Sequence, residues 1–180
     1  MGPNTINGLP AHVLLVHAVV VLVPLTALLL ILAVVWPAAR RRIGVVLPVV
    51  AFVTLVFVPL TTHSGEWLEH HTPRDPLVRI HTHLGDDLLV WSAGTFLLAA
   101  VWWAIHDEHV RERLRRRVPR IDAMTARRAL SAVLAVVALG VAAGSVVQVY
   151  RIGDSGAKAA WHERADQLTA AADDRTPRNK

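Results

Sequence analysis

The chain has 180 residues, 53% of them hydrophobic and 18% charged, with a mean hydropathy of +0.41 and a formal net charge of +5. A soluble domain carries about 25% charged residues, and here the apolar residues are gathered in long blocks, which excludes an ordinary water-soluble globule. There is no Cys, so disulfides, thiolate metal sites and cysteine nucleophiles are excluded as well.

A bilayer core of about 30 Å is crossed by about 20 mainly apolar helical residues. The first stretch that meets this test covers residues 11–36 and holds no ionisable side chain except His12 and His17. It lacks a basic start and is too long for a cleaved signal peptide, so it reads as a retained span. Ile6 stands where a myristoylation signal has Ser or Thr. The second, third and fourth stretches cover residues 43–62, 83–105 and 129–150. Backbone groups in lipid must pair within their own segment, which makes all four helices. Pro24, Pro48 and Pro59 lie within spans and predict kinks. Asp75-Pro76 reads as an N-cap followed by a first-turn proline, so the third helix is expected to begin before the bilayer. Past Tyr150, residues 157–168 set Ala157, Ala160, Trp161, Ala165 and Leu168 against Lys158, Glu163, Arg164 and Asp166. That pattern predicts an amphipathic helix along the membrane surface, anchored by Trp161. Residues 169–180 turn small and polar and are expected to be a disordered tail after a membrane domain over 1–161.

Arginine placement predicts the orientation. Arg40, Arg41 and Arg42 occupy the first link, and Arg111, Arg113, Arg115, Arg116, Arg117, Arg120, Arg127 and Arg128 the third. The second link holds only Arg74 and Arg79. The positive-inside rule then puts both Arg-rich links in the cytoplasm and both termini outside. Membrane topology accounts for the basic excess; without interleaved aromatic residues the Arg cluster does not read as a nucleic-acid surface, and its expected contact is anionic lipid headgroups.

The two halves resemble each other. Each opens with a histidine pair entering a span, His12 and His17 or His81 and His83. Each passes an Arg-rich turn and leaves the bilayer on a Ser-Gly step followed by Trp, Ser64-Gly65 with Trp67 or Ser155-Gly156 with Trp161. The expected fold is all-α: an integral membrane, antiparallel four-helix bundle of two pseudo-repeated helical hairpins. Gly140 and Gly144 form a G-x-x-x-G step in the fourth span, a spacing that lets helices approach closely, within the bundle or between two copies of the chain.

Seven histidines fall at the predicted outer face, and ionisable groups there suggest function. His12 and His17 differ by about 140° around a helix, and His81 and His83 by about 200°, so one of each pair can point at a shared centre. His17 lies about 7.5 Å deeper than His12. Histidines from two helices at one depth, His12 or His17 against His81 or His83, are the axial pair a haem b needs. A zinc or copper site is the alternative, drawn from His63, Glu66 and His70, which share a face if the second helix continues, and from Asp87, one turn from His83. The plain alternative is that these imidazoles sit at the interface with no cofactor at all. A serine nucleophile at the Ser-Gly steps lacks a base and an oxyanion hole.

Gly8-Leu9-Pro10-Ala11-His12-Val13-Leu14-Leu15-Val16-His17, then His81 with Leu84-Gly85, and finally Tyr150-Arg151-Ile152-Gly153-Asp154-Ser155-Gly156-Ala157-Lys158 with Trp161 resemble the bacterial membrane family called domain of unknown function 2231. The likeness to its actinobacterial members covers residues 6–161. Relatives often carry His where this chain has Asp154. The resemblance implies a multi-pass protein of a bacterial plasma membrane, in related chains sometimes associated with redox domains. The expected function is a haem- or metal-binding redox component working with a membrane redox partner. A non-catalytic structural or partner subunit, docking through the glycine face of the fourth span to a partner or to a second copy as a homodimer, is the alternative.

Overall fold

The computed structural model describes residues 5–6, 8–72, 75–117 and 124–175. A two-residue antiparallel pairing of β1 (Thr5–Ile6) with β2 (Leu9–Pro10) leads into six helices: α1 (Ala11–Val35), α2 (Pro37–Ile43), α3 (Val46–Glu69), α4 (Pro76–His106), α5 (Glu108–Arg117) and α6 (Met124–Arg175). Stretches of α1, α3, α4 and α6 are each long and apolar enough to cross a membrane. Large apolar side chains cover their outward faces, Val90 at 75% and Val136 at 71% exposure among them. Such a coat is costly in water and suited to acyl chains.

Local chemistry sets the boundaries. Trp36, forced into the extended region by Pro37, ends α1, and Pro37 opens α2 from its first turn. Gly44 takes a positive φ of 49° and turns the chain into α3. Asp75 caps α4 as expected, its carboxylate accepting from Leu77 N–H at 2.8 Å. Both α1 and α3 continue through Pro24 and Pro59, whereas Pro48 lies in the first turn of α3, where no helical N–H bond is lost.

Around the bundle α3 packs between α1 and α4, and α6 closes the ring against both; α1 and α4 meet across the diagonal. The internal repeat is visible residue by residue. One constant shift along the chain takes buried Val19, Val23, Thr26, Leu30 and Ala33 of α1 to buried Leu88, Ser92, Thr95, Ala99 and Trp102 of α4. A second takes Leu47, Ala51, Thr54, Val58 and Ser64 of α3 to Ala138, Ala142, Ser145, Val149 and Ser155 of α6. The polar contacts follow the same rule. Thr26 and Thr54 hydroxyls lie 2.7 Å apart, and Thr95 and Ser145 hydroxyls 3.0 Å. Within each pair one hydroxyl donates across while the other can donate to a carbonyl four residues back in its own helix.

The core has two parts. At the end carrying Arg40–Arg42, Leu30, Leu47 and Trp102 fill space left by Ala27, Ala33, Ala51, Ala99, Ala138 and Ala142. Because Pro37 has no N–H, the Ala33 carbonyl lacks its helical partner; Trp102 Nε1 donates to it at 3.1 Å. Toward the other end, Val19, Val23, Val58, Leu88 and Val149 pack together below the N-termini of α1 and α4. Leu22 and Val53 of the first hairpin correspond to Trp91 and Gly144 of the second. A Cβ on Gly144 would fall inside the Trp91 indole, so the larger ring is offset by the smaller partner and the spacing of the helices is kept.

Two expectations are corrected. No break follows Tyr150: α6 is one helix of 52 residues, about 78 Å long at 1.5 Å per residue. Residues 157–168 therefore continue the fourth helix beyond the bundle instead of forming a separate surface helix. The tail expected to be disordered from residue 169 is helical to Arg175; residues 176–180 lie outside the described residues. The physical reason is that residues 150–175 contain no proline, and isolated Gly153 and Gly156 each cost only about 1 kcal/mol in helix propensity.

Candidate functional site

The N-termini of α1 and α4 and the far ends of α3 and α6 enclose a cleft of about 750 Å³. His12 and His81 line it, with Val16, Val19, Val58, Leu88 and Ile152 as apolar wall and Glu66, Glu69, Asp75, Asp86 and His162 among its polar groups. The two imidazoles come from equivalent positions of the two hairpins. Their centroids are 6.3 Å apart and their planes stand at 84°.

Each ring is held by the same device. His12 Nδ1 lies 3.0 Å from the Thr61 carbonyl, and His81 Nδ1 lies 3.0 Å from the Ile152 carbonyl. A carbonyl only accepts, so Nδ1 carries the proton in both rings and the neutral form presents its lone pair at Nε2. The serine three residues on turns its hydroxyl to the same carbonyl, Ser64 to Thr61 and Ser155 to Ile152, each at 2.9 Å. Ser155 Oγ also receives His81 Nδ1–H at 3.2 Å. The following glycine makes room. A Cβ on Gly65 would lie 2.9 Å from His12 Nδ1, and one on Gly156 would lie 2.9 Å from His81 Cε1. The repeated Ser-Gly step thus has a structural cause: it is the seat of the opposite helix's histidine.

Of the four histidines considered for a haem, the structure brings His12 and His81 together. His17 is exposed on another face of α1, with Nδ1 against the Val13 carbonyl of its own helix. His83 and Asp87 are exposed on α4 and do not bond to one another. His63 and Glu66 do pair, at 3.6 Å, but both are largely exposed, and His70 sits exposed at the C-terminus of α3. Among the described residues no three His, Asp or Glu side chains converge as ligands of an ion, so the set of His63, Glu66, His70 and Asp87 is not assembled. His63 and His70 are turned to the exterior, whereas Glu66 lies at the edge of the cleft. Gly144 serves helix packing through Trp91 within the bundle, while Gly140 is exposed and nothing lies within 4 Å of an added Cβ.

His162 was not anticipated at the site. Lying in the stretch expected to form a surface helix, it lines the cleft instead, its Nε2 3.5 Å from Asp75 Oδ2 and its Nδ1 buried without a hydrogen bond among the described residues. The signal was present in the uninterrupted spacing of Ile152, Gly156, Ala159 and Ala160, one helical face that carries on toward His162.

A family model described as "Predicted membrane protein (DUF2231)" matches residues 8–167, the bundle together with the extension of α6 that bears His162. No curated protein matches the chain. No solved structure matches it either.

Proposed function

The chain belongs to the DUF2231 family of membrane proteins, and from that premise we propose that it is a redox component of a bacterial plasma membrane holding haem b between His12 and His81. The observation that carries the reading is the pair of pinned imidazoles, each with Nδ1–H committed to a backbone carbonyl and Nε2 left as an acceptor. A carbonyl on the far nitrogen is the arrangement that fixes the tautomer of metal-ligating histidines. Among the described residues two such rings meet, which suits a macrocycle that brings four nitrogens of its own and suits a bare ion poorly. In this reading His12 and His81 would hold the group through Nε2. The apolar wall of Val16, Val19, Val58, Leu88 and Ile152 keeps water from the faces of the group. The bound group would supply one-electron transfer. The Arg-rich links favour an orientation in which this end and both termini face outward, with a membrane redox partner as donor or acceptor.

One observation favours a second reading. Glu66, Glu69, Asp75 and Asp86 at the cleft attract a cation and oppose the carboxylates of a haem, so a copper or zinc ion on His12 and His81 is the competing occupant.

Purified full-length protein in detergent, examined by visible spectroscopy and metal analysis, tests both. A Soret band lost in His12→Ala and His81→Ala but retained in His17→Ala and His83→Ala supports haem. Stoichiometric copper or zinc with the same mutational pattern supports the second reading. A colourless, metal-free protein in cells supplied with haem and metals would overturn both and leave a non-catalytic partner subunit.

A further inference from the structure

At the opposite end of the bundle the link from α1 to α3 and the link from α4 to α5 enclose a second cavity, of about 310 Å³. Arg40, Arg41, Trp102, Trp103 and His106 contribute to its walls. Trp103 Nε1 is buried and has no acceptor among the described residues. An orphaned donor of this kind is unfavourable unless something outside the chain fills it. Arg40 is half-buried, its guanidinium 5.9 Å from the Trp102 ring centroid. Among the described residues neither Arg40 nor Arg41 has a carboxylate partner. Burial, and then the neighbouring Arg41, lowers the Arg40 pKa from its ordinary value, as expected of a cation whose counter-charge is missing. The carboxylate of Asp107 also lines this cavity, but Oδ1 accepts from Val110 N–H at 3.0 Å and lies 4.0 Å from His109 Nδ1; Glu108 is exposed at the rim. Arg40, Arg41 and Trp103 thus line one space, and among the described residues neither guanidinium has a carboxylate partner and the indole N–H has no acceptor.

We propose that this cavity binds the phosphate of one anionic phospholipid, held by Arg40, Arg41 and Trp103 Nε1. Guanidinium forks match phosphate oxygens two at a time, and basic pockets at the ends of membrane helices are suited to acidic headgroups. A lipid is favoured over free phosphate by what lies beside the cavity. Val35, Trp36, Val45 and Val46 are exposed at the same level, an apolar surface on which acyl chains can lie while the headgroup enters between the links. The internal repeat gives the stoichiometry. The positions equivalent to Trp103 and Arg40 in the other hairpin pair are Val34 and His109, so the repeat does not generate a second copy and one lipid per chain is expected.

The test is native mass spectrometry of the full-length protein in detergent, titrated in parallel with phosphatidylglycerol, phosphatidylcholine and inorganic phosphate. Retention of a single phosphatidylglycerol, about tenfold tighter than phosphatidylcholine, is expected, since the net-negative headgroup adds charge-assisted bonds to the guanidiniums. Arg40→Gln with Arg41→Gln should abolish that preference, and Trp103→Phe should weaken binding about fivefold. Arg151→Gln at the far end should leave it unchanged. Exposed Arg41→Gln alone, read at unaltered circular dichroism, keeps the test valid if the double variant fails to fold. Equal retention of both lipids, or a preference that survives the Arg variants, would overturn the proposal. So would phosphate binding as tightly as the acidic lipid.

Discussion

Gly65→Ala is the sharpest test of how the histidine seat is built. The added Cβ would lie 2.9 Å from His12 Nδ1 and 3.0 Å from Cε1, about half an ångström inside ordinary contact. The imidazole cannot yield freely, because Nδ1 is held 3.0 Å from the Thr61 carbonyl; moving the ring outward by that half ångström takes the bond to the edge of hydrogen-bond range. Overpacking costs about 1–3 kcal/mol and the weakened bond about 0.5–1.5 kcal/mol. Against this stands about 1 kcal/mol gained in helix propensity. The net expectation is a loss of about 1–3 kcal/mol. Gly140→Ala is the internal control, since nothing lies within 4 Å of its Cβ and only the propensity gain remains. Equilibrium unfolding in mixed detergent micelles, followed by helical circular dichroism, should therefore separate the two variants by about 2–4 kcal/mol. If Gly65→Ala and Gly140→Ala shift stability alike, the claim that the Ser-Gly step exists to seat the ring is wrong.

Gly156→Ala should repeat the Gly65 effect, because its Cβ meets His81 Cε1 at 2.9 Å and Nδ1 at 3.1 Å; matching unfolding midpoints for the two variants would support the internal two-fold. Gly144→Ala is expected to cost about 3 kcal/mol, and combining it with Trp91→Leu, the residue type at the equivalent position of the first hairpin, should recover at least about 1 kcal/mol of the summed losses in a double-mutant cycle. Thr26→Val and Thr95→Val each remove one inter-helix hydroxyl contact of 2.7 or 3.0 Å and should each lower stability by about 0.6 kcal/mol, with about 1.7 kcal/mol as the ceiling. Trp102→Phe leaves the Ala33 carbonyl without its 3.1 Å donor, and a loss of about 1–3 kcal/mol is expected in the same unfolding assay.

The histidines show where sequence reasoning stopped. Helical periodicity established that one of His12 and His17 and one of His81 and His83 can face a common centre, because five residues or two residues cannot return to the same face. Which of each pair does so depends on how the helices are rotated about their own axes, and that rotation is set by packing. Val19, Val23 and Leu30 bury one stripe of α1, and the seat at Gly65 lies on the partner helix α3, whose depth relative to His12 no single-helix argument supplies. His17, though deeper, has Nδ1 against a carbonyl of its own helix. His63 and His70 show the same limit from the other side: periodicity sets them on one helix with Glu66, but the two imidazoles are exposed while the carboxylate lies at the cleft.

Composition and patterning by themselves determined the membrane environment, the four spans, the Asp75-Pro76 helix start and the doubled hairpin. These follow from local rules: twenty apolar residues must cross as helix, a proline lacks an N–H, and a repeated motif folds twice in the same way. Tertiary structure alone decided that His12 and His81 meet and that Ser64-Gly65 and Ser155-Gly156 are their seats. It alone brought His162 on the continued α6 against the cleft, and left Trp103 Nε1 without an acceptor among the described residues. Each of those depends on the relative rotation and depth of two helices. Those quantities are fixed by interlocking side chains such as Trp91 on Gly144, and a linear pattern records them only as unexplained glycines.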